Sequence, residues 1–214
     1  MTANETIAHV VNIGPVIPVL QFDDVAQGDA VCRALYAGGV KVMEITLRTD
    51  AGLQVIERAS KIADDIVVGV GTLTQPGQCA AAVKAGATFG VSPGLTRGLD
   101  QAAKDAGLPL LPGVMTPSEI IAALEAGYEI VKFFPAQQAG GLAMLQAFQG
   151  PFPGLKFCPT GGITYENAPN YLALPNVVCV GGSWLTPKTL MQAQNWQEIT
   201  HLAHVSSELA RHAR

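Results

Sequence analysis

Residues 85–134 read AGATFGVSPGLTRGLDQAAKDAGLPLLPGVMTPSEIIAALEAGYEIVKFF, and this stretch decides the fold. Three junctions in it share one chemistry: Ala85-Gly86-Ala87, Ala106-Gly107-Leu108 and Ala126-Gly127-Tyr128. Each closes an alanine-rich stretch and opens an apolar, β-rich one. Glycine at such a junction takes φ > 0 and ends a helix. Gly86, Gly107 and Gly127 recur about every 20 residues, one strand plus one helix per repeat. Upstream, Ala37-Gly38-Gly39-Val40 has the same character.

Extended outward, the pattern predicts strands at 16–20, 41–47, 66–71, 88–92, 109–113, 129–134, 155–160 and 177–181. Most are nearly continuous in apolar residues, as strands buried on both faces are. Helices are expected over 24–37, 51–63, 76–85, 96–106, 117–126, 141–149 and 165–172, with a longer one over 187–210. Residues 2–12 read as an added N-terminal helix. Eight strands alternating with helices predict an α/β fold, a (β/α)₈ TIM barrel with that extra helix. Such barrels usually take about 250 residues, so this one has short loops. A doubly wound open sheet is the alternative, but it expects a GxGxxG turn after the first strand. Gln21-Phe22-Asp23-Asp24 stands there instead.

The chain has 214 residues with no visible linker, so one domain over 1–214 is expected. It is 49% apolar and only 14% charged, against roughly 25% charged in an ordinary domain. That excludes disorder and favours an oligomer with an apolar interface. The net charge of −4 argues against a nucleic-acid partner. No apolar run approaches the roughly 20 residues of a membrane span. No signal peptide is expected: Glu5 precedes the apolar stretch, no Lys or Arg does, and Gly14, Pro15 and Pro18 interrupt it. Cys32, Cys79, Cys158 and Cys179 show no CxxC spacing and lie in apolar runs. They read as reduced core residues of a cytosolic protein, with a disulfide or zinc site as the alternative.

In a barrel of this kind the chemistry gathers at the C-terminal strand ends. Strand two ends Glu44-Ile45-Thr46-Leu47-Arg48, and alternation puts Glu44, Thr46 and Arg48 on one face. A carboxylate inside an apolar strand is costly unless paired. It reads either as half of a structural Glu44–Arg48 ion pair or as an acid/base group beside a substrate-clamping arginine. Strand three ends in Thr72, and strand four in Ser92-Pro93-Gly94, where turn chemistry suffices. Strand six carries Lys132 among apolar residues, with Phe134 on the same face. Lysine is among the least buried residue types. Burial disfavours an amine's charged form, and a neutral amine in an apolar pocket attacks carbonyls. The alternative is a lysine that snorkels from the strand end or pairs with Glu44. Strands seven and eight end in Thr160-Gly161-Gly162-Ile163 and Gly181-Gly182-Ser183, the two places where barrels of this kind often bind phosphate. The histidines, His9, His201, His204 and His212, lie near the chain ends, so no metal site and no Ser–His–Asp triad is expected.

Five segments taken together, 39–49 (GVKVMEITLRT), 70–72 (VGT), 131–136 (VKFFPA), 159–163 (PTGGI) and 181–184 (GGSW), resemble the 4-hydroxy-2-oxoglutarate / 2-dehydro-3-deoxy-phosphogluconate (KDPG) aldolase family. The resemblance runs along essentially the whole chain. It implies a lyase of the class I, Schiff-base type in the Entner–Doudoroff route of carbohydrate metabolism. The substrate would be a phosphorylated 2-keto acid, cleaved to pyruvate and D-glyceraldehyde 3-phosphate. The resemblance also implies a cytoplasmic homotrimer without cofactor or metal. Lys132 would form the Schiff base and Glu44 would transfer protons. Arg48 and Thr72 would hold the pyruvate carboxylate, and Pro93 and Phe134 would shape the pocket. Thr160 would touch the substrate hydroxyls. Gly161, Gly162, Gly181, Gly182 and Ser183 would bind phosphate. A sister aldolase for the galactonate epimer or for unphosphorylated 4-hydroxy-2-oxoglutarate, a non-covalent sugar-phosphate isomerase and a non-catalytic phosphosugar-binding protein are the alternatives.

Overall fold

The chain opens with a capping box. The Thr2 hydroxyl accepts from the Glu5 N–H at 3.2 Å and Glu5 Oε2 accepts from the Thr2 N–H at 2.6 Å. Two of the helix's orphan donors are thereby satisfied, which starts α1 at Ala3–Ile13. A computed structural model of the protein describes residues 2–210.

After α1 come β1 (Val16–Leu20), α2 (Val25–Ala37), β2 (Val42–Thr46), α3 (Gly52–Ala59), β3 (Val67–Gly71), α4 (Gly77–Lys84), β4 (Phe89–Val91) and α5 (Arg97–Asp105). The second half holds β5 (Leu110–Leu111), β6 (Gly113–Val114), α6 (Pro117–Glu125), β7 (Ile130–Phe133), α7 (Gly141–Phe148), β8 (Lys156–Pro159), α8 (Ala168–Leu172), β9 (Val180–Gly182), α9 (Lys188–Gln192) and α10 (Trp196–Ser207). The repeat glycines Gly86, Gly107 and Gly127 all have positive φ at helix ends.

All strand pairs are parallel. Six strands form one curved sheet in the order β5-β4-β3-β2-β1-β9, and β6-β7-β8 form a second. The result is a TIM-barrel-like parallel α/β fold. The sheets meet twice. Pro112 alone separates β5 from β6, breaking the expected strand 109–113 because proline has no N–H for the ladder. On the other side, isolated bridges join Phe157 to Val177 and Thr160 to Gly181.

Two apolar clusters follow from strand alternation. The larger lies between the strands and the surrounding helices. The smaller joins Ile17, Val42, Phe89, Val91, Leu111 and Cys158, from five strands, to Ile7, Val10 and Val11 of α1. The apolar face of α1 thus packs against strand residues of both sheets. Each such side chain contributes roughly 1.5–3 kcal/mol by its burial. All four cysteines are free and buried. Burial pushes the Cys32 thiol up to about 12, so it stays protonated.

Two expected helices are corrected. The final one, predicted over 187–210, is broken between α9 and α10 and ends at Ser207. Gln194 sits at φ 51°, and Asn195 Oδ1 accepts from the Glu198 N–H at 3.2 Å, so a new N-cap replaces helix continuation. The helix predicted over 165–172 starts only at Ala168, because Thr164 and Asn167 bond each other in a turn. Met1 and residues 211–214, with His212, lie outside the described residues.

Candidate active site

Val42 faces the interior cluster, so alternation along β2 sends Glu44 to the same side. On β7, Ile130 packs on that cluster and Lys132 shares its face. The two polar residues therefore meet. Lys132 Nζ stands 3.6 Å from Glu44 Oε1, and both side chains are only 4% exposed. The Glu44 oxygen has no hydrogen-bond partner. A buried polar atom without a hydrogen bond costs about 1–3 kcal/mol, which the ion pair with Lys132 offsets in part. Glycine makes room for it: a Cβ at Gly71 would overlap the Glu44 carboxylate.

The Lys132 ammonium position lies 5.1 Å from the centre of the Phe134 ring. Pro93, half-buried, abuts the backbone of Gly113, where a Cβ would overlap its carbonyl. Gly113 is the Cα partner of Lys132. Both proposed pocket walls thus flank the lysine.

Arg48 departs from the strand-face reading. β2 ends at Thr46, so alternation no longer governs position 48, and Arg48 is exposed. Its Nε donates to Thr72 Oγ1 at 3.1 Å. The Glu44–Arg48 ion pair is therefore replaced by Glu44–Lys132. Thr72 sits at φ 62°, a region that β-branched residues rarely enter. Strain of this kind costs roughly 1–3 kcal/mol and collects at functional sites. Thr46, the third residue of the expected face, is spent on structure: its hydroxyl donates to the Leu20 carbonyl at 2.8 Å.

The glycine loops come together across the Thr160–Gly181 bridge. A cleft of about 300 Å³ is lined by Arg48, Phe134, Thr160, Gly161, Gly162, Gly181, Gly182 and Ser183, with Val19 and Ile163. Gly161 and Gly162 have φ of 102° and 73°, which only glycine takes freely. The carbonyls of residues 160, 161 and 162 accept from Ala136 N, Gln137 N and Asn167 Nδ2. Those acceptors are thus engaged, which favours an anion in the cleft over a cation. Phe134 links this cleft to Lys132, and Arg48 links it to Thr72.

Sequence reasoning missed Val19 and Ile163. Val19 is the Cα partner of Glu44 near the end of β1, so strand-end position and register were its signal. Ile163 simply follows the first glycine pair. Among the described residues no group of three or more His, Cys, Asp or Glu is gathered at one point. His9, His201 and His204 are exposed on α1 and α10.

A sequence profile of the KDPG and KHG aldolases, where KHG is 4-hydroxy-2-oxoglutarate, matches residues 7–202. The 2-dehydro-3-deoxy-phosphogluconate aldolase of Pseudomonas aeruginosa is 46% identical over 200 residues, covering 93% of this chain and 91% of that one. A KDPG aldolase from Legionella pneumophila, solved with pyruvate captured at low pH as a covalent carbinolamine intermediate, superposes with a TM-score of 0.91. It is 43% identical, covering 97% of this chain and 99% of its own. The Zymomonas mobilis aldolase solved with 3-phosphoglycerate gives a TM-score of 0.91 at 40% identity, covering 97% and 98%.

Proposed function

The chain belongs to the KDPG and KHG aldolase family, and from that premise we propose that it cleaves 2-dehydro-3-deoxy-6-phosphogluconate to pyruvate and D-glyceraldehyde 3-phosphate. The observation that carries this reading is the buried Lys132–Glu44 pair, 3.6 Å apart beside the glycine-lined cleft. It is a carbon–carbon lyase. The same residues serve 4-hydroxy-2-oxoglutarate, cleaved to pyruvate and glyoxylate. The galactonate epimer, a non-covalent isomerase and a non-catalytic binding protein are disfavoured, because relatives at 40–46% identity carry the KDPG aldolase name.

The Lys132 amine attacks C2 of the keto acid to give a carbinolamine, which loses water to form a protonated imine. Glu44 carries the protons in both directions. It then takes the proton of the C4 hydroxyl as the C3–C4 bond breaks. The bonding electrons flow into the imine, giving an enamine, and the aldehyde leaves. Reprotonation at C3 and hydrolysis release pyruvate and restore the amine. Acid–base help of this kind contributes about 10²- to 10⁴-fold. Arg48 and Thr72 hold the carboxylate and so fix C2 over Nζ. Phe134 and Pro93 wall the pyruvate pocket, and Thr160 meets the hydroxyls. Gly161, Gly162, Gly181, Gly182 and Ser183 hold the phosphate.

Pyruvate with borohydride is the decisive test. Reduction of the imine should inactivate the enzyme and leave one adduct on Lys132, read by peptide mass spectrometry. An adduct on another residue, or none, overturns the reading.

The two sheets are taken as parts of one closed (β/α)₈ barrel, capped by α1. A cytoplasmic homotrimer completes the proposal. The low charge and the exposed side chains of Met115, Ile121 and Leu124, each more than 40% exposed, support an apolar interface. Light scattering at micromolar concentration should give three chain masses, and a single chain mass would refute the trimer.

A further inference from the structure

The cleft at the glycine loops does not end at Ser183. A second cavity of about 580 Å³ adjoins it, sharing Val19, Arg48 and Ser183. Its other walls include Asp23 and Asp24, just after β1, and the exposed Lys188 in the first turn of α9. These charges have unequal freedom. Asp24 Oδ1 accepts from the Gln27 N–H at 2.7 Å and caps α2. The Nε of Arg48 is engaged by Thr72. Among the described residues, Lys188 forms no ion pair and no hydrogen bond through its side chain.

Neither glycine loop carries a cationic side chain. Neutral N–H groups can orient a phosphate but add no full charge, Arg48 beside them is given to the carboxylate, and Asp23 adds like charge nearby. A lysine on a flexible four-carbon stem is a mobile point charge suited to that deficit. We infer that Lys188 is a specificity-determining contact, whose ammonium closes over the terminal phosphate from the α9 side and favours phosphorylated over unphosphorylated 2-keto acids. The inference deepens the proposed function and rests on the glycine loops holding the phosphate.

The test compares KM for 2-dehydro-3-deoxy-6-phosphogluconate and for 4-hydroxy-2-oxoglutarate over a range of ionic strength. Four proteins are measured: the unmodified enzyme, Lys188→Met, Ser183→Asp and, as a distant control, Lys61→Met. Lys188→Met should raise the ratio of the two KM values about three- to tenfold at low salt, as expected for a partly screened charge-assisted contact. It should also flatten the salt dependence of KM for the phosphorylated substrate. Lys61→Met should leave both readouts unchanged. Ser183→Asp should raise the same ratio about tenfold or more, by setting a carboxylate against the phosphate. An unchanged ratio in Lys188→Met alongside a raised one in Ser183→Asp overturns the role of Lys188 alone. Equal loss on both substrates in Ser183→Asp overturns the phosphate loops themselves, and the inference with them.

Discussion

Lys132→Arg is expected to lower turnover by about 10⁴-fold or more, because it removes the nucleophile while keeping the charge. A guanidinium cannot form an imine, so no electron sink exists for the carbanion at C3. The choice of arginine matters for interpretation. Glu44 is buried, and its ion-pair partner is Lys132. Truncating the lysine to an apolar residue would strand a buried carboxylate, at a cost of about 3–5 kcal/mol, and an unfolded protein would then mimic lost chemistry. Arginine keeps a cation opposite Glu44. The measurement is steady-state cleavage alongside a thermal melt. Inactivity with a melting temperature near that of the unmodified enzyme is the expected pair of results. Activity within about tenfold of the unmodified enzyme would mean that covalent catalysis is not the route.

Lys132 and Glu44 were legible because each breaks a local rule: a charge in the middle of an apolar strand. Period-two alternation then placed both toward the enclosed space. Their mutual pairing was less legible. Sequence offered Glu44 two cations, Arg48 and Lys132, and strand parity favoured the first. Parity fails once the strand stops, and β2 stops at Thr46. Arg48 is turned out to the strained Thr72, a contact between positions 24 apart that no local pattern encodes. The helix-ending glycines were readable for the opposite reason, since positive φ is a purely local demand. The break at Gln194 was hidden because the good helix formers Gln192 and Ala193 lead into it, and the Asn195 cap that makes it resembles any polar helix residue. The cavity beyond Ser183 was invisible, because it depends on α9 folding back beside the tip of β1.

Glu44→Gln is expected to lower turnover by about 10²- to 10⁴-fold with a much smaller change in KM, since it removes proton transfer more than binding. Glutamine matches the shape of glutamate, and shape is tightly specified here. The carboxylate fills the space that Gly71 leaves open, so a larger replacement would collide with the backbone of β3. The amide can still donate and accept hydrogen bonds, but it cannot carry a proton between the imine, the C4 hydroxyl and C3. Stability should fall less than in a lysine truncation, because the amide oxygen still presents an acceptor to the Lys132 ammonium, whereas truncating the lysine leaves the buried carboxylate with no partner at all. The pyruvate–borohydride adduct should still form on Lys132, more slowly, which separates loss of the acid/base group from loss of the nucleophile. Arg48→Ala gives the contrasting signature: weaker binding of pyruvate and of full substrate alike, because both carry the carboxylate. Near-normal turnover in Glu44→Gln would reduce Glu44 to a structural counter-ion for Lys132 and require another group to carry the protons.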